Sequence, residues 1–196
     1  MSGIGVIRGL FVTFGHFLET YLDDLRVGKK RYHTQEGIEL RSSAKVKGIF
    51  SIQYPEEKAI MPEEFRYIPF LVYEAGENGA RNYRCTACGI CSKVCPPQCI
   101  WITRKSDPVT GKPVPSPAEF AIDVDICMNC GLCAEYCPFD AIKMDHDFEL
   151  STQDRMRDHI YHLEKLGKPV EYYAKIRPLN YAREEEARQA KKPAAA

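Results

Sequence analysis

The 196-residue chain has no net charge: 27 lysines and arginines balance 27 aspartates and glutamates. That balance offers no basic field to a phosphate backbone, so nucleic-acid binding is not expected. Long apolar runs are missing too. The most apolar stretch, residues 4–26, is broken by Arg8, His16, Glu19, Asp23 and Asp24, which excludes an ordinary bilayer-spanning helix. No G-x-G-x-x-G turn and no G-x-x-x-x-G-K-[ST] loop occurs, so neither a dinucleotide nor a nucleoside triphosphate has a recognisable cradle. No cleavable secretory leader and no Arg- and Ser-rich presequence is seen. A reducing compartment and a bacterial cytoplasmic face are therefore expected, with structural disulfides disfavoured.

Cysteine is what the chain has. Eight of its nine cysteines form two copies of C-x2-C-x2-C-x3-C-P: Cys85, Cys88, Cys91 and Cys95 before Pro96, then Cys127, Cys130, Cys133 and Cys137 before Pro138. Bacterial two-cluster ferredoxins hold paired [4Fe–4S] clusters with this run, the fourth cysteine serving the other cluster. A cubane needs one thiolate per iron, and the x2 spacings let three sulfurs of one loop reach three corners. Gly89 and Gly131, at matching places, allow close backbone approach. The x3 step spans about one helical turn and carries the fourth thiolate toward the second cube. The spacing thus predicts Cys85, Cys88, Cys91 and Cys137 on cluster 1, and Cys127, Cys130, Cys133 and Cys95 on cluster 2. Paired C-x2-C units also hold zinc, but zinc sites separate their pairs by longer loops than these.

Each cysteine of the second copy lies 42 residues after its counterpart, as do the prolines; Ile100 and Ile102 match Ile142 and Met144. The duplication predicts an α+β, ferredoxin-like pseudo-twofold core with two [4Fe–4S] clusters. Strands are expected at 99–103 and 120–124, with a shorter one near 141–144. Asp107–Pro117 carries four prolines and a glycine and reads as a long hairpin loop. Cys99 has no twin, since Ala141 holds its partner position; it reads as a small apolar residue at a strand start, an exchangeable ligand being the alternative. Trp101 and Phe139 are expected to shield the cubes from water.

The remaining two thirds of the chain suggest docking. Ile7, Phe11, Phe14, Leu18, Tyr21 and Leu25 fall at helical steps and form one apolar stripe over residues 4–26. It suits either subunit packing or the membrane interface, and Arg26, Lys29, Lys30 and Arg31 follow it as a basic knot suited to anionic headgroups. The organisation expected is a docking helix and knot over 1–31, an extended docking segment over 32–79, the two-cluster domain over 80–150, and a C-terminal helix and strap over 151–196 ending in a disordered tail. Val46–Tyr54 alternates partly, and Phe70–Tyr73 is a short apolar run. Ser151–Leu166 reads as a helix capped by Ser151 or Thr152 and stopped by Gly167. His159 and His162 would sit one turn apart on it.

In order, the amphipathic helix, the YPEEK stretch at 54–58 with PEEFR at 62–66, the two cysteine motifs and the charged C-terminal extension resemble subunit I of the bacterial respiratory NADH:quinone oxidoreductase, complex I. The likeness covers roughly residues 4–150. It implies a peripheral subunit on the cytoplasmic side of the cell membrane, touching the upstream iron–sulfur subunit, the terminal-cluster subunit and the quinone-site membrane subunit. Electrons would pass through both cubes to the terminal cluster that reduces quinone, and the whole complex would couple this to proton pumping. No catalytic residue would belong to this chain. The 68–73 and 107–117 segments depart from the family in length, and Cys99 stands where alanine is common. Alternatives are a soluble two-cluster ferredoxin, or the equivalent subunit of a ferredoxin-fed or hydrogenase-type complex.

Overall fold

A computed structural model of the protein describes residues 3–28, 32, 34–43, 51–76 and 79–191. They fall into two compact units, Met1–Met61 and Pro62–Ala196.

In the first unit, helix α1 (Ile4–Val27) follows the three- and four-residue apolar spacing. Its stripe of Ile7, Phe11, Phe14, Leu18, Tyr21 and Leu25 is exposed, and aromatic contacts link Phe14, Phe17 and Tyr21 along it. Among the described residues no helix is long and apolar enough to cross a membrane. Lys29, Lys30 and Arg31 of the basic knot, and residues 46–50 of the alternating stretch, lie outside the described residues.

A second helix, α2 (Gln35–Ser42), stands where an extended segment was expected. Thr34 caps it, its hydroxyl accepting the Gly37 N–H at 3.0 Å. On its buried face Arg41 donates to Glu57 Oε1 at 2.6 Å and to Gly37 O at 3.2 Å, and also bonds Ser51 O. Gln53 N–H fills the other carboxylate oxygen at 3.1 Å. Within YPEEK, Glu57 alone is buried, as the ion-pair partner of Arg41 inside its own unit, while Tyr54, Pro55, Glu56 and Lys58 are exposed.

The second unit holds two small sheets. Strand β1 (Pro69–Ala75) runs antiparallel to β2 (Arg81–Tyr83) and to the later β5 (Ile142–Met144) along one edge, and parallel to β7 (Gly167–Pro169) along the other. Val72 shows how one edge serves two strands. Its N–H meets Ala141 O at 2.9 Å and its carbonyl accepts Arg84 N–H at 3.1 Å. The other sheet is antiparallel, β3 (Ile100–Ser106), β4 (Pro113–Asp123) and β6 (Ile160–His162). The run read as a short apolar stretch at 70–73 is thus a fully paired, buried strand.

The two ladders repeat one pattern. Ile100 and Ile102 pair with Ile122 and Phe120, and Ile142 and Met144 pair with Leu71 and Pro69. Cys99 O accepts Asp123 N–H at 3.0 Å, as Ala141 O accepts Val72 N–H. Each strand that follows a cysteine motif pairs with the strand that precedes the other motif. Leu71, Ile100, Phe120, Ile122, Ile142 and Met144 meet in one buried core with Cys91, Cys95, Cys99 and Cys133.

Three expectations need correction. The 107–117 loop is only a turn, because β4 begins at Pro113. The turn at Asp107 is closed by the Lys112 carbonyl, 2.9 Å from its N–H. Pro113 and Pro117 sit where the β3–β4 register shifts, and β6 reaches only Ala121–Asp123, so their missing N–H groups are tolerated there. Secondly, 151–166 is not one helix. Asp125, just past β4, takes Arg155 Nε at 2.6 Å and His159 Nδ1 at 2.5 Å. That pins a single turn, α5 (Arg155–Asp158), capped by Asp154, and the chain then adds β6 to the edge of β4. Thr152 bonds the His159 ring at 2.7 Å instead of capping a helix. His162 lies in β6, so the two histidines share no helical face. Gly167 does stop the next turn, α6 (Leu163–Leu166). Thirdly, the charged strap is helical: α7 (Val170–Ile176) leads into α8 (Pro178–Lys191). Glu184 of α8 accepts the Tyr173 hydroxyl at 2.7 Å and pairs with Lys143 of β5. Residues 192–196, expected as a tail, lie outside the described residues.

PEEFR, though partly exposed, also makes ties within its own unit. Glu63 and Glu64 accept Asn180 N–H and Nδ2 at 2.8 Å, Phe65 O accepts Arg177 Nη2 at 2.6 Å, and Arg66 reaches the second cysteine motif. The stretch ties the C-terminal helices to the loop that carries Cys130.

Candidate metal-cluster site

Each motif folds as a tight loop and one short helix. Ala87 and Asn129, Gly89 and Gly131, Gln98 and Asp140 all adopt positive φ, between 51° and 81°, in pairs 42 residues apart. For Ala87, with no side-chain bond to favour that region, the conformation costs roughly 1–2 kcal/mol, so the surroundings must impose it. The left-handed residues turn N–H groups toward sulfur: Ala87 N–H lies 3.4 Å from Cys85 Sγ, and after the second motif Ala141 N–H lies 3.4 Å from Cys137 Sγ. Gly89 and Gly131 then start α3 (Ile90–Val94) and α4 (Leu132–Glu135).

Two cavities of nearly equal size result. The first is lined by Cys85, Cys88, Cys91 and Cys137, with Ile102, Ile142 and Phe120 behind them. The second is lined by Cys127, Cys130, Cys133 and Cys95, with Ile100, Met144 and Pro69. Each wall takes three thiols from one motif and one from the other. Residues 42 apart face opposite cavities: Phe139 and Ala141 line the first, Pro97 and Cys99 the second.

The chemistry of the walls fits an iron–sulfur cube. Burial, helped by neighbouring thiols, pushes Cys91 and Cys133 up to about 12 and raises Cys85 and Cys127 as well. Thiolates there need cationic compensation, which iron supplies on ligation, while the N–H groups aimed at sulfur favour the charged form. Cys88 and Cys130 are exposed, so each cavity keeps one corner near the surface.

Cys99 is more involved than its sequence position suggested. It is 1% exposed, lines the second cavity, and places Sγ 3.4 Å from Cys95 Sγ. Burial first, then the bond to Cys95, raises its pKa. Phe139 lines the first cavity, whereas Trp101 is half exposed and lines neither, because strand alternation sends Ile100 and Ile102 inward and Trp101 out. Two arginines escaped notice in the sequence: Arg104 donates to Ala87 O and Arg66 to Cys130 O, both at 3.0 Å. Neither belongs to the 42-residue repeat, so periodicity could not have revealed them.

The family described as 4Fe-4S dicluster domain matches residues 84–141, the span of both cysteine motifs. NADH-quinone oxidoreductase subunit I 2 of Symbiobacterium thermophilum is 41% identical over 100 residues, covering 51% of this chain and 40% of that protein. Subunit 9 of Rhodothermus marinus is 39% identical over 123 residues, covering 62% and 50%. Subunit I of Methylococcus capsulatus is 39% identical over 117 residues, covering 59% and 63%.

Over those stretches the chain is similar to NADH-quinone oxidoreductase subunit I.

The chain spans about half the length of the curated relatives it matches. The dicluster match spans both cysteine motifs, and the relatives named are oxidoreductase subunits.

Proposed function

We propose that this chain is the electron-relay subunit of a membrane-bound NADH:quinone oxidoreductase. Cys85, Cys88, Cys91 and Cys137 hold one [4Fe–4S] cluster, and Cys127, Cys130, Cys133 and Cys95 hold the other. The observation that carries this reading is the pair of equal cavities, each walled by three thiols of one motif and the fourth thiol of the other. The matched ladders and matched φ values, 42 residues apart, support a pseudo-twofold core around them. When bound, such clusters accept and release single electrons at potentials set by hydrogen bonds and burial. The chain's own work is to fix the two cavities around one shared core, aim Ala87 and Ala141 N–H groups at sulfur, and exclude water with Leu71, Phe120, Ile142 and Met144. Acid–base or nucleophilic chemistry is assigned to no residue of it. The exposed stripe of α1 docks the chain against the membrane arm at the cytoplasmic surface. Neighbouring subunits supply electrons and carry them on to the quinone-reducing cluster, and proton pumping belongs to the whole complex.

Two measurements test this. Mild-detergent extraction followed by sizing is expected to carry the chain with a large, brown, quinone-reducing assembly; a small brown species in the soluble fraction would refute the assignment. Within that assembly, Cys137→Ser is expected to remove the same electron paramagnetic resonance (EPR) signal as Cys85→Ser. If it removed the signal lost in Cys127→Ser, the ligand sets would not be crossed.

A further inference from the structure

Arg66 and Arg104 stand outside the duplicated motifs, yet each gives a guanidinium N–H to the backbone of one cysteine loop. Arg104 Nη2 donates to Ala87 O, inside the first loop, and Arg66 Nη1 donates to Cys130 O, at the end of the second. Their electrostatic settings differ. Arg66 also forms an ion pair with Glu135 at 2.7 Å, on the short helix that carries Cys133. Arg104 makes no ion pair among the described residues.

The second loop is shaped for this contact. A Cβ built on Gly131 would lie 2.8 Å from Arg66 Nη1 and 3.1 Å from its Cδ, whereas one on Gly89, the matching residue, would meet nothing within 4 Å. Glycine at 131 therefore does two things, supplying a φ of +81° and making room for the guanidinium. Gly89 supplies only the first.

We infer that Arg66 and Glu135 together set the reduction potential of the cluster in the second loop, as positioning residues acting through charge. The inference rests on the proposal that this loop holds a [4Fe–4S] cluster. An added electron is stabilised by a nearby cation and opposed by a nearby anion. Arg66 and Glu135 pull in opposite directions, so removing either one leaves the other uncompensated. Arg104, with no ion-pair partner among the described residues, biases the first cluster in one direction only. Two cubes with the same ligand chemistry thereby sit in different fields, and electrons between them meet a graded path. Both side chains of the Arg66 pair are about half exposed, and water and salt moderate the effect.

The test is an EPR-monitored redox titration of the intact assembly bearing Arg66→Gln, Glu135→Gln, Arg66→Lys or Arg104→Gln. Arg66→Gln is expected to lower the midpoint of one cluster and Glu135→Gln to raise that of the same cluster. Each would change the one-electron equilibrium constant by about three- to tenfold, the tenfold limit being about 59 mV. Arg66→Lys keeps the charge and is expected to stay near the unaltered midpoint. Arg104→Gln is expected to lower the other cluster alone. The inference is overturned if Arg66→Gln and Glu135→Gln shift the midpoint in the same direction, as loosened packing would, or if neither shifts it. It is overturned equally if Arg66→Gln and Arg104→Gln act on one signal. Absence of two cubane signals in the unaltered assembly would refute the cluster proposal itself, and this inference with it.

Discussion

Deleting the Glu57 carboxylate tests whether YPEEK is a structural latch. Glu57→Ala removes the acceptor of Arg41 Nη2 at 2.6 Å and of Gln53 N–H at 3.1 Å. The Arg41 side chain is fully buried and Glu57 nearly so. Stranding one charge of such a pair costs about 3–5 kcal/mol. Arg41 keeps Gly37 O and Ser51 O, and its guanidinium lies 5.0 Å from the Tyr32 ring centroid, which places the loss near the lower end, about 3 kcal/mol. At about 1.4 kcal/mol per decade, amide protection in α2 should fall roughly a hundredfold. Hydrogen exchange read by mass spectrometry measures this, with the Ile38 amide, bonded to Thr34 O at 3.0 Å, as one reporter. Amides of β3 and β4 should not change, since the latch lies wholly in the first unit. The paired replacement Arg41→Met with Glu57→Leu should recover most of the loss, because neither charge is then stranded. Unchanged exchange in Glu57→Ala, or a paired variant worse than the single one, would refute the reasoning.

Cys99→Ala is expected to keep both clusters and cost about 1 kcal/mol in thermal stability, whereas Cys99→Leu should crowd the second cavity and selectively weaken one EPR signal; loss of a cluster in Cys99→Ala would instead make Cys99 a ligand. His159 should titrate above its ordinary 6.5, because Asp125 hydrogen-bonds its ring. Asp125 should titrate below 3.8, because the bonds from His159 and Arg155 outweigh its burial. A raised histidine stabilises fully below 6.5 and loses that contribution as pH rises through its folded value; the lowered aspartate loses its contribution as pH falls through its own. Exchange of the Ile160–His162 amides, corrected for intrinsic rate, should therefore accelerate relative to β1 as pH climbs above that of the free imidazole. Asp125→Asn should abolish the dependence, and a flat wild-type profile would count against the linkage.

Much of the second unit was legible because its signals are local and repeated. Cysteine spacing, the glycines and the apolar pairs Ile100/Ile142 and Ile102/Met144 each occur twice, so the cysteine loops and the strand after each motif could be placed within a few residues. What escaped depends on long-range charge. Nothing local in Ser151–Leu166 shows that Asp125 will pull Arg155 and His159 across to β4 and convert a helical pattern into a turn and a strand. YPEEK and PEEFR read as charged docking surface because Glu57, Glu63 and Glu64 look alike in sequence; only their partners, Arg41, Asn180 and Arg177, make them internal ties. The prolines of 113–117 misled for another reason. Proline argues against a paired strand, but at shifted register and beyond the reach of β6 there was no ladder bond to lose.

The exchange of strands between the two halves bears on synthesis. The first cavity's wall includes Cys137, Ala141 and Ile142, and β1 finds β5 only when residues 142–144 exist. A ribosome that has made the whole first motif has therefore made neither pocket. Neither can close until the second motif has emerged, because each takes part of its wall from that motif.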